Sequence, residues 1–365
     1  MGKYTNIDDP SSHFQVARWT GNASNRNITN DGNSDLQPDF IWMKCMDSNT
    51  AHIWQLSNLG VTKYFRCNVT SEIGTASSLI SSFNSDGFGI TNNSSNNVDT
   101  EKNVAWQWKA NGNSTSSNTD GDITSTIQTN STAGFTMGTY TGNGSDNQTI
   151  GHGLGAAPDW IIVKRKDTAA AWLVWHRAQS VNHVLRFYVN TETDSASGRV
   201  SGRTSNSRGT SSIFTVYQGS SAYDNCNING DEYIFWAWKE VQGYSKFGKY
   251  TGNGSGTNDG TFDGPFVYTG FKPAWLMIKR YDGGSEDWNI FDNKRQTYNY
   301  NQKKLYANQS APDSGNVYDA VDFLSNGFKI RTGRGGTNTN GGNYVYMAFA
   351  ENPFVTSTGI MGTAR

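Results

Sequence analysis

Apolar residues in this chain fall two apart, in short runs separated by glycine- and asparagine-rich turns. FQVARWT (14–20) alternates apolar and polar positions. In NVAWQWKA, EYIFWAWKE and NYVYMAFAENPF the large side chains stand at Trp106 and Trp108, Trp236 and Trp238, and Met347 and Phe349. Residues i and i+2 of an extended strand share a face, so each pair is expected to point into a core. Helices are expected to be few and short.

The same succession occurs three times. A Thr-Gly-Asn turn leads through a proline into an aromatic-led apolar run and a lysine: WTGN to PDFIWMK, YTGN to PDWIIVK, YTGN to PAWLMIK. A repeat of this kind outranks every other sequence signal for fold. The prolines, Pro38, Pro158 and Pro273, lie about 115–120 residues apart, close to one domain length. With Trp108, Trp238 and Phe349 they mark the repeat scaffold.

The simplest architecture is all-β: three tandem antiparallel β-sandwich units of jelly-roll type, with first and last strands adjacent. The expected division is an arm at 1–13, unit one at 14–110, a polar linker at 111–130 with a surface β-excursion as the alternative, unit two at 131–240, unit three at 241–354 and a tail at 355–365. The arm is read as packing on a neighbour or anchoring the chain, and the tail as a segment ordered by a neighbour. DFLSNGFKIR is expected to be a hairpin turning at Asn326-Gly327. Trp54, Trp175 and Trp288 follow the three prolines at similar intervals. They read as core residues, with sugar-stacking platforms as the alternative.

Composition narrows the function. The 40 glycines provide turns, and the 12 tryptophans and 17 tyrosines favour sheet. A net charge of −1 with 17% charged residues lacks the basic footprint of a nucleic-acid binder. No apolar run approaches a membrane span, and the N-terminus has no hydrophobic signal region. Cys45, Cys67 and Cys226 are odd in number and sparse, and read as free buried thiols.

Candidate chemistry is thin. The five histidines form no zinc spacing, and His152, in GHGLG, is expected to tie its loop to the sheet. Glycoside hydrolysis needs two converging carboxylates. Glu286-Asp287 and Asp231-Glu232 are adjacent, and Asp319 and Asp322 are three apart, so on strands each pair faces opposite ways; no enzyme is expected. Gly333-Arg334-Gly335-Gly336 lacks the Lys-Ser/Thr and the helix of a phosphate loop. Asp259, Asp263, Asp120 and Asp122 do not interleave as a calcium loop does; no cofactor is expected, a structural calcium ion being the open alternative. The candidate glycan or partner contacts are Tyr298 and Tyr300, with Asn299 and Asn301 beside them, and Arg199, Arg203 and Arg208 for an anionic polysaccharide or another subunit.

YTGNGSDNQTIGHGLGAAPDWIIVK, WNIFDNKR, VDFLSNGFKIR and YVYMAFAENPF resemble a concanavalin A/laminin G-like β-sandwich repeat of structural proteins from tailed, especially marine, bacteriophages. The resemblance extends over nearly the whole chain. It implies a virion appendage (tail fibre, tail tip or capsid-attached protein), made in the host cytoplasm. It further implies a homo-oligomer, a trimer by analogy with fibres, contacting other virion proteins and host-surface polysaccharide. It involves neither nucleic acid nor membrane insertion. The alternatives are a carbohydrate-binding module outside a virion and a glycan-degrading tailspike.

Overall fold

A computed structural model describes residues 5–179, 183–191, 200–201, 209–219, 225–256, 262–315 and 320–362. Unit one contains Phe14–Thr20 (β1), Arg26–Ile28 (β2), Phe40–Cys45 (β3), Ile53–Leu56 (β4), Lys63–Arg66 (β5), Gly74–Thr75 (β6), Ile80–Phe83 (β7), Phe88–Ile90 (β8) and Lys102–Trp108 (β9). Unit two contains Ser116–Asn118 (β10), Ser125–Asn130 (β11), Phe135–Thr141 (β12), Gln148–Gly151 (β13), Trp160–Arg165 (β14), Trp172–His176 (β15), Leu185–Arg186 (β16), Ile213–Val216 (β17) and Glu232–Trp238 (β18). Unit three contains Ser245–Thr251 (β19), Phe266–Tyr268 (β20), Phe271–Arg280 (β21), Asn289–Asp292 (β22), Lys303–Tyr306 (β23), Ser314–Gly315 (β24), Val321–Leu324 (β25), Gly327–Ile330 (β26) and Asn343–Pro353 (β27), with one short helix, Gly335–Asn338 (α1). Among the described residues no helix is long and apolar enough to cross a membrane.

Each unit has a large and a small antiparallel sheet. The large sheets run β1-β9-β3-β4-β5-β6, β10-β11-β12-β18-β14-β15-β16 and β19-β27-β21-β22-β23-β24. The small ones are β2-β8-β7, β13-β17 and β20-β26-β25. The expected opening strands pair with the closing ones, Phe14 opposite Trp108, Phe135 opposite Trp238 and Ser245 opposite Phe349, although in unit two β10 and β11 precede β12.

The central strands of the large sheets are buried on both faces. Outward, Ala105 packs with Phe88, Phe235 with Phe214, and Tyr346 with Phe328, each against its own small sheet. Inward, Trp106 and Trp108, Trp236 and Trp238, and Met347 and Phe349 enter one aromatic core common to all three units. This is why FIWM, WIIV and WLMI are continuous apolar runs: a strand covered on both sides has no solvent face to leave polar. Trp54 lies 5.0 Å from both Trp172 and Trp236, Trp108 lies 5.8 Å from Trp275, and Trp160 lies 6.1 Å from Trp288 (ring centroids). Every pair of units therefore meets ring to ring.

Register also corrects the tryptophan equivalence. Lys164 pairs with Trp172 as the second unit's counterpart of Lys44, so Trp172 and Trp288 correspond to His52, while Trp175 belongs to the outer core. These three residues link the units in a ring. Trp172 Nε1 donates to Val69 O (2.9 Å), Trp288 Nε1 to Arg186 O (3.2 Å), and His52 Nε2 to Tyr306 O (3.0 Å), its Nδ1 accepting from Trp42 Nε1. The motif lysines add to it: Lys164 Nζ reaches Thr70 O of unit one (3.2 Å) and Lys279 Nζ reaches Asn190 O of unit two (2.9 Å).

The expected linker is sheet instead. Ser116–Asn118 and Ser125–Asn130 extend unit two's large sheet from β12, with Ile123 and Ile127 buried and Thr129 hydroxyl-bonded to Thr136 at 2.7 Å. Few apolar side chains suffice there because backbone ladders hold β10 at the sheet edge and β11 beside it, with β-branched threonines favouring strand in β11. The tract also fastens unit one to unit two, through Gln128 with Ser57 (3.1 Å) and Asn130 with His13 (3.1 Å). The arm and tail likewise fold onto their own chain: Ile7 closes the shared core, and Asp8 accepts from Ser357 N at 2.6 Å. Pro38 and Pro158 precede their strands, while Pro273 sits in a β21 bulge. The hairpin at 321–330 turns on Ser325-Asn326, and Gly327 starts β26 because a Cβ there would overlap Val267 O.

The Thr-Gly-Asn turns prove to be pins. A Cβ on Gly21, Gly142 or Gly252 would overlap the carbonyl oxygen of Val98, Ile228 or Thr339. The next residue donates its N–H to a buried asparagine: Asn22 to Asn97 (3.2 Å), Asn143 to Asn227 (3.0 Å) and Asn253 to Asn338 (2.9 Å). Gly142→Ala is therefore expected to lower stability by ~1–3 kcal/mol, as overpacking against backbone does, read from the urea midpoint. A loss below about 0.5 kcal/mol, the scatter of ordinary surface changes, would contradict this role.

Candidate functional site

With the inner faces consumed by the shared core, chemistry is confined to outer loops and clefts. Tyr298 and Tyr300 are 79% and 47% exposed on the loop between β22 and β23. Their neighbours serve the fold: Asn299 brackets Phe323 through N and O, and Asn301 Nδ2 donates to Asp292 O at 2.7 Å. The tyrosines are thus held on a braced loop without the two amides expected to assist them. Arg199, Arg203 and Arg208 lie outside the described residues.

Two clefts occupy the same place in units one and three. Both lie over the fourth and fifth strands of the unit, beneath the segment that follows the small-sheet hairpin. In unit one the cleft measures about 400 Å³ and is lined by Tyr64, Arg66, Ser78, Asn92, Ser94 and Ser95 among others. In unit three it measures about 230 Å³ and is lined by Glu286, Asp287, Lys304, Tyr306 and Arg334 with the glycines of α1. Lys63 pairs with Thr75 as Lys303 pairs with Gly315, so Tyr64-Phe65-Arg66 corresponds to Lys304-Leu305-Tyr306.

On its fifth strand each cleft therefore carries a cation and an aromatic ring two residues apart on one face, in opposite order. Arg66 lies 5.4 Å from the Tyr64 ring centroid, and Lys304 Nζ lies 4.8 Å from that of Tyr306. In unit two Val184 and Arg186 stand at these positions, so no ring is present. No motif marks these residues in the sequence. Aligning KYFR, HVLR and KKLY as the strand after the repeat's tryptophan strand would have shown the exchanged pair.

The carboxylates differ from expectation. Glu286 and Asp287 precede β22 in a loop rather than alternating on a strand, so both line the unit-three cleft. Asp287 Oδ1 is already bound by Asn308 Nδ2 at 2.7 Å. The other aspartates serve local structure: Asp122 accepts from Thr149 N (3.1 Å) and Oγ1 (2.8 Å), and Asp263 pairs with Lys329 at 2.5 Å. Asp259 and Asp319 lie outside the described residues. Among the described residues no three His, Cys, Asp or Glu side chains gather as metal ligands, and all three cysteines are free and buried.

His152 ties its loop to the sheet. Its Nδ1 accepts from Leu154 N at 3.1 Å, so its Nε2–H donates to Thr210 O at 3.2 Å. Burial pushes its pKa down to about 4, and that of His176 down to about 3. Unfolded, both protonate near 6.5, so the unfolded chain binds more protons between the two values and stability falls as pH drops from 6.5 towards 4. For His152 alone the expected loss is on the order of 2–3 kcal/mol by pH 4.5, at ~1.4 kcal/mol per unit. Urea midpoints at pH 7 and 4.5 measure it. His152→Gln is expected to shrink the pH dependence, and an unchanged dependence would count against this assignment.

One family model, described as Domain of unknown function (DUF7483), matches residues 9–353. The match runs across all three units as one body, in line with their common core. No curated protein and no solved structure matches the chain.

Proposed function

We propose that this chain, which belongs to the DUF7483 family, is a structural component of a tailed-phage virion that presents glycan-binding clefts on a rigid block of three concanavalin A-like jelly-roll units. The supporting observation is the division of faces. The inward faces form one aromatic core, while matching clefts open outward at the same position in units one and three. The sequence resemblance adds the virion context. Several weak sites on one rigid body act together through effective concentration, which suits attachment to a host surface without catalysis. Three units round one core already place repeated sites in one chain. A homotrimer would multiply them, and light scattering of the purified protein tests it against a single 40.1 kDa chain.

Antibody labelling and peptide mass spectrometry of washed particles test the virion assignment. A fixed labelled position on the particle is expected, and absence from particles that otherwise infect would overturn it.

A second reading, glycan hydrolysis, draws on one observation: Glu286 and Asp287 share a cleft. It requires release of reducing ends from host polysaccharide, abolished by Glu286→Gln. No release from any host polysaccharide excludes it.

A further inference from the structure

We infer that the outer cleft of unit one is a binding site for an acidic saccharide, recognised through Arg66; this rests on the glycan-display reading above. The cleft is the largest of the outer pair at about 400 Å³, a size typical of small-ligand sites. Its lining carries one charged group, the Arg66 guanidinium, and no carboxylate. Among the described residues no acid pairs with Arg66. Among the described residues its guanidinium donates one hydrogen bond, from Nη2 to Tyr64 Oη at 3.2 Å.

Tyr64 in turn is fixed. It stands opposite Gly74 on β6, and a Cβ on Gly74 would overlap the tyrosine ring, so the ring lies over the glycine backbone. The ring thus orients a guanidinium that keeps four of its five N–H donors for a partner. A planar fork of this kind matches carboxylate or sulfate oxygens two at a time. Around it Asn92, Ser78 and Ser94 are exposed, giving neutral donors and acceptors for sugar hydroxyls.

The comparison with unit three sharpens the ligand class. There the same position adds Glu286 and Asp287 beside Lys304 and Arg334, and carboxylates at that point repel an anionic ligand. The two clefts share a geometry and differ in charge, so acidic saccharide is assigned to unit one alone.

The test is calorimetric titration of the full chain with three probes: oligogalacturonate, a sulfated dextran oligosaccharide and neutral dextran oligosaccharide. Binding of one or both acidic probes is expected, with the arms distinguishing carboxylate from sulfate ester. Neutral dextran is expected to bind at least tenfold more weakly. Arg66→Ala is expected to weaken acidic-probe binding at least tenfold, and Arg66→Lys less. Lys249→Ala, at an exposed β19 lysine that lines neither cleft, is expected to leave it unchanged, and raised salt to weaken it severalfold, as for any exposed ion contact. Matching melting curves establish that each variant is folded. Failure of both acidic probes to bind, or equal binding by Arg66→Ala, would overturn the inference. Such a failure leaves the virion assignment to be judged separately by particle labelling.

Discussion

Arg295→Met is expected to remove about 3–5 kcal/mol of stability, the usual cost of stripping one partner from a buried ion pair. The Arg295 guanidinium is fully buried. Its Nε lies 2.5 Å from Asp292 Oδ2, its Nη1 3.4 Å from Asp313 Oδ1, and its Nη2 donates to Ile290 O at 2.9 Å. Asp292 also accepts from Trp106 Nε1 of unit one at 3.1 Å, and Arg295 lies over the Trp106 ring at 5.9 Å. The cation therefore neutralises two buried carboxylates on the seam between units one and three.

Burial already pushes the Asp313 carboxyl up, and Arg295 is the main group opposing that rise. Without Arg295 the carboxyl rises further and the folded form holds a proton that the unfolded chain releases. The loss should accordingly be larger at pH 8 than at pH 5. Urea denaturation at both values measures it, and Arg295→Met with Asp313→Asn should recover part of the loss. A change under about 1 kcal/mol, the level of an ordinary exposed pair, would mean that the buried pair is not built as described.

Trp54→Ala is expected to cost a similar ~3–5 kcal/mol, the range for truncating a large buried aromatic. Trp54 is 1% exposed and touches Phe40 and Trp42 of its own unit and Trp172, Phe187 and Trp236 of unit two. The effect should extend beyond unit one. With one core common to three sheets, unfolding followed by tryptophan fluorescence and by far-ultraviolet dichroism should coincide in a single transition, shifted in the variant. If unit one instead melted separately while the other two persisted, the shared core would not be the principal source of cohesion.

Much of the local architecture was readable from residue pattern. The period-two pairs at Trp106/Trp108, Trp236/Trp238 and Met347/Phe349 identified the closing strands and the face they share. Pro38 and Pro158 located the strands that follow, whereas Pro273 lies inside β21, and the cysteines are buried thiols as composition suggested. Misreadings arose where backbone rather than side chains carries the structure. Ser116–Asn130 has almost no apolar signal, yet joins a sheet through ladder bonds. Glu286-Asp287 was judged by strand alternation, although the pair precedes its strand. Trp175 was grouped with Trp54 and Trp288 by spacing, because register is invisible until Lys164 is seen opposite Trp172.

The site was less legible than the fold. Tyr298 and Tyr300 stood out as exposed aromatics, and they are exposed, but Asn299 and Asn301 are engaged inside the loop. Tyr64-Arg66 and Lys304-Tyr306 were passed over because each is an ordinary strand fragment, and only their common position gives them meaning.

The chain's own pattern, then, determined that it is all-β, that a single succession of strands recurs three times, and that each closing strand sets its paired large side chains on one face. Periodicity is local, so it survives in one dimension. Only the tertiary structure decided that the three large sheets turn their inner faces to one core, with Trp54, Trp108 and Trp160 at the junctions. It also decided that Lys164 and Lys279 and the His52, Trp172 and Trp288 ring atoms reach across to neighbouring units, while Lys44 stays within its own. Those choices depend on which of two apolar faces meets which partner, and a run such as FIWM, apolar on both sides, carries no information about that.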